Sequence, residues 1–184
     1  MCAMGNPLMV FENVKTAPRR RLFALWGVPW LATPWAWASV PAFLAAGIVL
    51  AVIVGAGESG EERAVLGLGY GVLLLIANVL HSVGHIIGGK WAGHPMDANL
   101  VTATRHINIY RGHQGHLPRR VHLGRALGGP VMNLVAGALA LIAGQIVEGS
   151  LIDSFGVMNV ALGVVALAPI PTVDGEVIWR ELLK

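Results

Sequence analysis

His81 and His85 stand four residues apart in the segment Val79-Leu-His-Ser-Val-Gly-His-Ile-Ile-Gly-Gly-Lys90. On an α-helix this spacing stacks the two side chains one turn apart on one face. Two imidazoles so placed form one edge of a tetrahedral zinc site, as in H-E-x-x-H helices. Zinc needs at least a third protein ligand. Asp174, in Pro169-Ile-Pro-Thr-Val-Asp-Gly175, is the candidate, because two close prolines end a helix just before it. A His, His, Asp set with one open position has the make-up of a catalytic zinc site. The plainer alternatives are histidines that hydrogen-bond to neighbouring helices and an aspartate that serves a turn before glycine. A third polar group lies in Gly128-Gly-Pro-Val-Met-Asn133. Here Pro130 suits the first turn of a helix, the glycines permit close helix approach, and Asn133 offers an amide to a neighbour or a bound substrate.

The elements that must position these groups are read from charge. Only 12% of the 184 residues are charged and 55% are hydrophobic, whereas soluble domains carry about 25% charged residues. Residues 22–57, 64–89, 126–147 and 154–173 contain no Asp, Glu, Lys or Arg. A helix crossing the hydrocarbon core needs roughly 20 mostly apolar residues, so the composition predicts an all-α membrane protein with about four transmembrane helices. The expected spans are 38–56, 64–89, 126–147 and 154–167, followed by a short helix over 176–184. Pro29, Pro34, Pro41 and the tryptophans Trp26, Trp30, Trp35 and Trp37 make 22–40 read as an interfacial lead-in. The chain divides into an N-terminal segment, 1–20, whose first 18 residues read as poorly ordered or peripheral, and a transmembrane domain, 21–184. The long 90–125 connection holds five of the seven histidines. Its alternation over 99–104 and 107–110 predicts a small β-hairpin.

Twelve of the thirteen Lys and Arg residues fall on one side of this arrangement, with Arg63 the exception. The positive-inside rule then places both termini and the 90–125 loop in the cytoplasm. The net charge of +3 needs no nucleic acid partner. Membrane lipid and a transmembrane protein, or a larger membrane complex, are the expected partners. Cys2 is the only cysteine, which excludes an intrachain disulfide and a cysteine-based zinc site.

Taken together, Leu-Trp-Gly-Val-Pro at 25–29, His81-Ser-Val-Gly-His85, Gly129-Pro-Val-Met-Asn133 and Pro169-Ile-Pro-Thr-Val-Asp174-Gly175 resemble the site-2 protease family. These are the intramembrane zinc metallopeptidases. The resemblance runs from about Arg21 to the C-terminus, in the family's order and spacing. It implies a membrane-embedded core in which His81, His85 and Asp174 hold zinc. It also implies that Asn133 lies beside the scissile region of a substrate, as a substrate or oxyanion contact, and that the hairpin helps to present a substrate strand.

The chain departs from the family pattern at the position that performs proton transfer. Active members carry Glu after the first histidine, and here Ser82 occupies that position. A serine hydroxyl is no base near neutral pH, and positioned acid–base groups contribute about 10²–10⁴ in rate. Ala166 stands where the family usually has Asn before Pro-x-Pro, and Glu176 where Gly is more frequent. The leading expectation is a catalytically inactive relative that acts as a binding or accessory subunit. One alternative is an active protease whose base is rerouted to Glu176 or to His94, His106, His113, His116 or His122. In another, His113-Gln-Gly-His116 forms a second metal patch. The last is a structural subunit of a larger complex whose histidines ligate a porphyrin or chlorophyll-type pigment.

Overall fold

A computed structural model describes residues 16–111, 117–147 and 150–184. Cys2, most of the N-terminal segment and the His113–His116 patch lie outside the described residues. The described residues divide into two compact units, those of 16–39 with 96–111 and those of 40–95 with 117–147 and 150–184.

The first unit corrects the all-α expectation. It contains a four-stranded sheet in the order β1-β2-β3-β4, formed by Arg20–Leu25, Val28–Ala32, Ala98–Val101 and His106–Ile109. The stretch read as an interfacial lead-in is largely a β-hairpin, with Leu25 paired to Val28 across Trp26-Gly27. Both turn residues have positive φ, 49° and 83°, which is the two-residue connection whose twist suits antiparallel strands. Aromatic and branched residues favour strands as readily as interfaces, so the tryptophan content alone did not reveal the hairpin. Strand β2 pairs in parallel with β3 through Trp30 and Asn99, and β3–β4 is the predicted hairpin. Trp30 stacks on Phe23, with ring centroids 5.1 Å apart, and meets the edge of His106 at 5.4 Å.

The second unit is helical: α1 Ser39–Ile53, α2 Gly60–Trp91, α3 Arg119–Gly144, α4 Ser150–Ala166 and α5 Asp174–Leu182. The stretches Ala36–Ile53, Gly60–Trp91 and Arg119–Gly144 are long and apolar enough to cross a membrane. The chain is thus an integral membrane protein. The fourth apolar stretch forms a helix of 17 residues, about 25 Å long against a core of ~30 Å. Helix α2 starts where Ser59 Oγ accepts the Glu62 amide, 3.1 Å away, and the Glu62 carboxylate accepts the Glu58 amide at 2.8 Å. This is a variant of the capping box. Helix α3 begins well before Pro130, at Arg119, so that proline is internal and not in the first turn. Membrane helices tolerate such a proline.

Glycine determines how closely the helices approach. A Cβ on Gly84 would collide with the Gly128 carbonyl oxygen and lie 2.6 Å from Met132 Cβ. A Cβ on Gly88 would meet the Gly124 carbonyl, and one on Gly128 the Gly84 carbonyl. Gly84 and Gly88 of α2 therefore interlock with Gly124 and Gly128 of α3, a small-xxx-small contact on both sides. Helix α5 is docked in the same way, because a Cβ on Gly175 would strike the carbonyls of Ala168 and Leu167. Trp179 Nε1 donates to the Leu167 carbonyl at 2.9 Å and Arg119 to the Leu182 carbonyl at 3.2 Å. Gly84→Ala is expected to destabilise the protein by about 1–3 kcal/mol, the usual cost of overpacking. Gly60→Ala, whose Cβ would meet nothing within 4 Å, should stay within about 1 kcal/mol of the parent. Unfolding in detergent micelles compares the two.

Candidate metal centre

The last third of α2 carries His81 and His85 on one face, with His85 buried and His81 half-buried. Asp174 opens α5, one residue before the glycine that lets this helix dock. His81 Nε2 lies 2.9 Å from Asp174 Oδ2, His85 Nε2 lies 3.3 Å from the same oxygen, and the two Nε2 atoms are 3.1 Å apart. Three donor atoms thus converge from positions 93 residues apart in sequence.

This triangle is nearly the size that an ion requires. Tetrahedral zinc with bonds of about 2.0–2.2 Å separates its ligand atoms by roughly 3.3–3.6 Å, so the donors need to open by only a few tenths of an ångström. The tautomer of His85 also suits ligation. Its Nδ1 lies 2.7 Å from the Arg125 carbonyl, and a carbonyl only accepts, so Nδ1 carries the proton and Nε2 presents its lone pair. Metal-bound histidines are ordinarily oriented by such a bond from the other ring nitrogen. Arg125 is itself held by its guanidinium, which donates to the His94 carbonyl at 2.9 Å, beyond the end of α2. Burial pushes the Asp174 carboxyl up, but the imidazoles of His81 and His85, within 3.3 Å of its Oδ2, outweigh it and hold the group at about 2. The charged carboxylate is therefore the form present near neutral pH.

Space for an ion comes from Gly129, which the sequence motif suggested only as a packing residue. A Cβ there would lie 2.5 Å from His81 Nε2 and 2.6 Å from His85 Nε2. The signal available in sequence was the adjacent pair of glycines, Gly128 serving the helix contact and Gly129 the donors.

Other candidate residues are placed differently. Ser82 is buried, and its hydroxyl donates to the Asn78 carbonyl one turn back in α2, at 3.2 Å. Asn133 is buried one turn beyond Gly129 on the same face of α3, and neither its Nδ2 nor its Oδ1 has a partner among the described residues. Glu176 lies in the first turn of α5 and reaches back to the turn before it. One oxygen accepts the amide of Thr172, 2.8 Å away, whose φ is +73°, and the other faces Arg180 at 3.6 Å. Ala166 is the last residue of α4. Among the described residues, His81, His85 and Asp174 form the one cluster able to hold a metal, and His94, His106 and His122 do not join it.

The apolar helices, the small sheet and the order of these elements define a polytopic membrane protein with a site-2-protease-like fold. The structure is similar to the Site-2 Protease from Methanocaldococcus jannaschii, with a TM-score of 0.63 and 23% identity over 90% of this chain and 72% of that one. The sequence-based resemblance therefore holds at the level of the fold. No protein-family model and no curated protein matches the chain.

Gly129→Ala should weaken zinc binding by about 10–100-fold, the range seen when the surroundings of metal ligands are disturbed. Metal titration followed by competition with a chelator measures this change.

Proposed function

We propose that the protein is an integral membrane zinc-binding relative of the site-2 proteases that no longer cuts peptides efficiently. In this reading it binds a transmembrane protein partner as an accessory subunit, with lipid around its apolar helices and both termini in the cytoplasm. The observation that carries the proposal is the contrast within one turn of α2. His81 and His85 converge with Asp174 on a triangle of zinc-binding size, while Ser82 gives its hydroxyl proton to the Asn78 carbonyl.

In this reading His81, His85 and Asp174 hold the ion, which when bound would supply Lewis acidity and lower the pKa of a water at its open position. The rest concerns the protein's own groups. His85 is kept in the ligating tautomer by Arg125. Asn133 presents an unpaired amide donor and acceptor on the α3 face that continues from Gly129, suited to hold a peptide carbonyl. Among the described residues, no group is in place to take a proton from the attacking water and return it to the leaving amine. Ser82 cannot do so, and both oxygens of Glu176 are engaged by Thr172 and Arg180, which speaks against the rerouted base. The crowding of both Nε2 atoms against one carboxylate favours a single ion over a porphyrin or chlorophyll-type macrocycle, which needs an open face at its axial histidine.

Elemental analysis of the purified protein should find about one zinc per chain, lost in His85→Ala. Proteolysis of a transmembrane substrate should be absent or very slow. Ser82→Glu should raise it by about 10²–10⁴, the contribution of a positioned general base. Robust chelator-sensitive cleavage by the unmodified protein would overturn the assignment, and a Soret-type band would transfer it to a pigment-binding subunit.

A further inference from the structure

Charge at the loaded site points to the chemistry of what it binds, an inference that rests on the metal reading above. A divalent ion held by two neutral imidazoles and the Asp174 carboxylate leaves one net positive charge. The site sits low in an apolar helix, where an unbalanced charge is costly. Ser82 adds no charge, and its proton is already given to Asn78.

Among the described residues, no other carboxylate of the helical unit compensates, and Glu58 lies before the start of α2. Glu176 faces Arg180 and the Thr172 amide. Glu181 lies 2.7 Å from Lys184 and 3.7 Å from Arg180. Asp153 packs against Gly144, at the end of α3 remote from Gly129. Glu61 and Glu62 open α2, roughly 30 Å along the helix from His81 at 1.5 Å per residue. A hydroxide at the open position would balance the charge, and so would an anionic ligand that displaces it.

Asn133 indicates which kind of anion. Its amide is buried without a partner, and orphaned buried polar groups are uncommon because leaving them unsatisfied costs about 1–3 kcal/mol. It lies one turn, about 6 Å, from Gly129, whose missing side chain leaves the space beside both imidazoles. A ligand that brings one negative charge and a second oxygen for an amide donor is a carboxylate. We propose that the metal-loaded site binds a monocarboxylate, with its charge balanced by the ion and a hydrogen bond from Asn133. Two sources share this chemistry, the C-terminal carboxylate of an apolar peptide and the head of a fatty acid.

The test uses the full chain in nanodiscs, with zinc quantified first. Binding is measured for an apolar decapeptide with a free C-terminus against its C-terminal amide, and for octanoate against octanamide. The expected result is roughly tenfold or more preference for acid over amide in at least one pair, present with zinc and lost on chelation. The pair that shows it identifies the source. Ser82→Glu should abolish the preference while zinc is retained, because its own carboxylate supplies the charge. Asn133→Ala should weaken acid binding about tenfold. Zinc present with equal affinity for acid and amide in both pairs overturns the inference and leaves the metal assignment standing. Absence of zinc overturns both. The acid–amide comparison needs no variant, so a poorly folded Ser82→Glu protein does not decide the outcome.

Discussion

The close contact between α2 and α3 is the constraint on which the candidate centre depends. With a side chain at Gly84, Gly88, Gly124 or Gly128, the two backbones would have to part. The consequences would reach beyond packing. The Arg125 carbonyl comes within 2.7 Å of His85 Nδ1 only at this separation, and Gly129 borders the two Nε2 atoms for the same reason. In a bilayer, where apolar burial does not drive helices together, such small-residue contacts supply the association through dispersion and close fit. The same glycines thus serve stability and the state of the histidine.

Asp174 depends on a second, more local arrangement. Two prolines end the chain's run after α4, Thr172 adopts a positive φ, and Glu176 holds the Thr172 amide while α5 begins. Gly175 then lets α5 settle onto the carbonyls of Leu167 and Ala168. A carboxylate at the first position of a short helix is poorly constrained by itself. Here, anchoring by Trp179 to Leu167 and by Arg119 to Leu182 limits its movement. Glu176, a candidate catalytic base on residue type alone, is part of this support.

Much of the helical unit was legible because membrane insertion imposes a coarse, one-dimensional rule. Charge-free stretches of sufficient length become helices, and α1 to α4 lie close to where such stretches fall. The sheet was half legible. Alternation over 99–104 and 107–110 indicated β3 and β4, whereas 20–32 carried prolines and tryptophans that suit an interface as well as a strand. What distinguishes the two readings is pairing, Trp30 beside Asn99 and Phe23 beside Trp30, and pairing joins residues remote in sequence. Pro130 was misplaced for a related reason. The basic residues before it suggested a loop, yet Arg119 and Arg120 form the first turn of α3.

The sequence alone determined the donor types, the i,i+4 spacing of the imidazoles, the apolar character of their surroundings and the serine where a base would stand. These are properties of residue identity and of the helical repeat, and they need no knowledge of the fold. Only the tertiary structure decided that Asp174 meets both histidines, that His85 carries its proton on Nδ1, that Gly129 leaves room beside the donors and that Asn133 lacks a partner among the described residues. Each is a relation between atoms on different helices, as with the 40 residues separating His85 from Arg125. Such relations arise only when close packing brings distant segments into hydrogen-bonding distance.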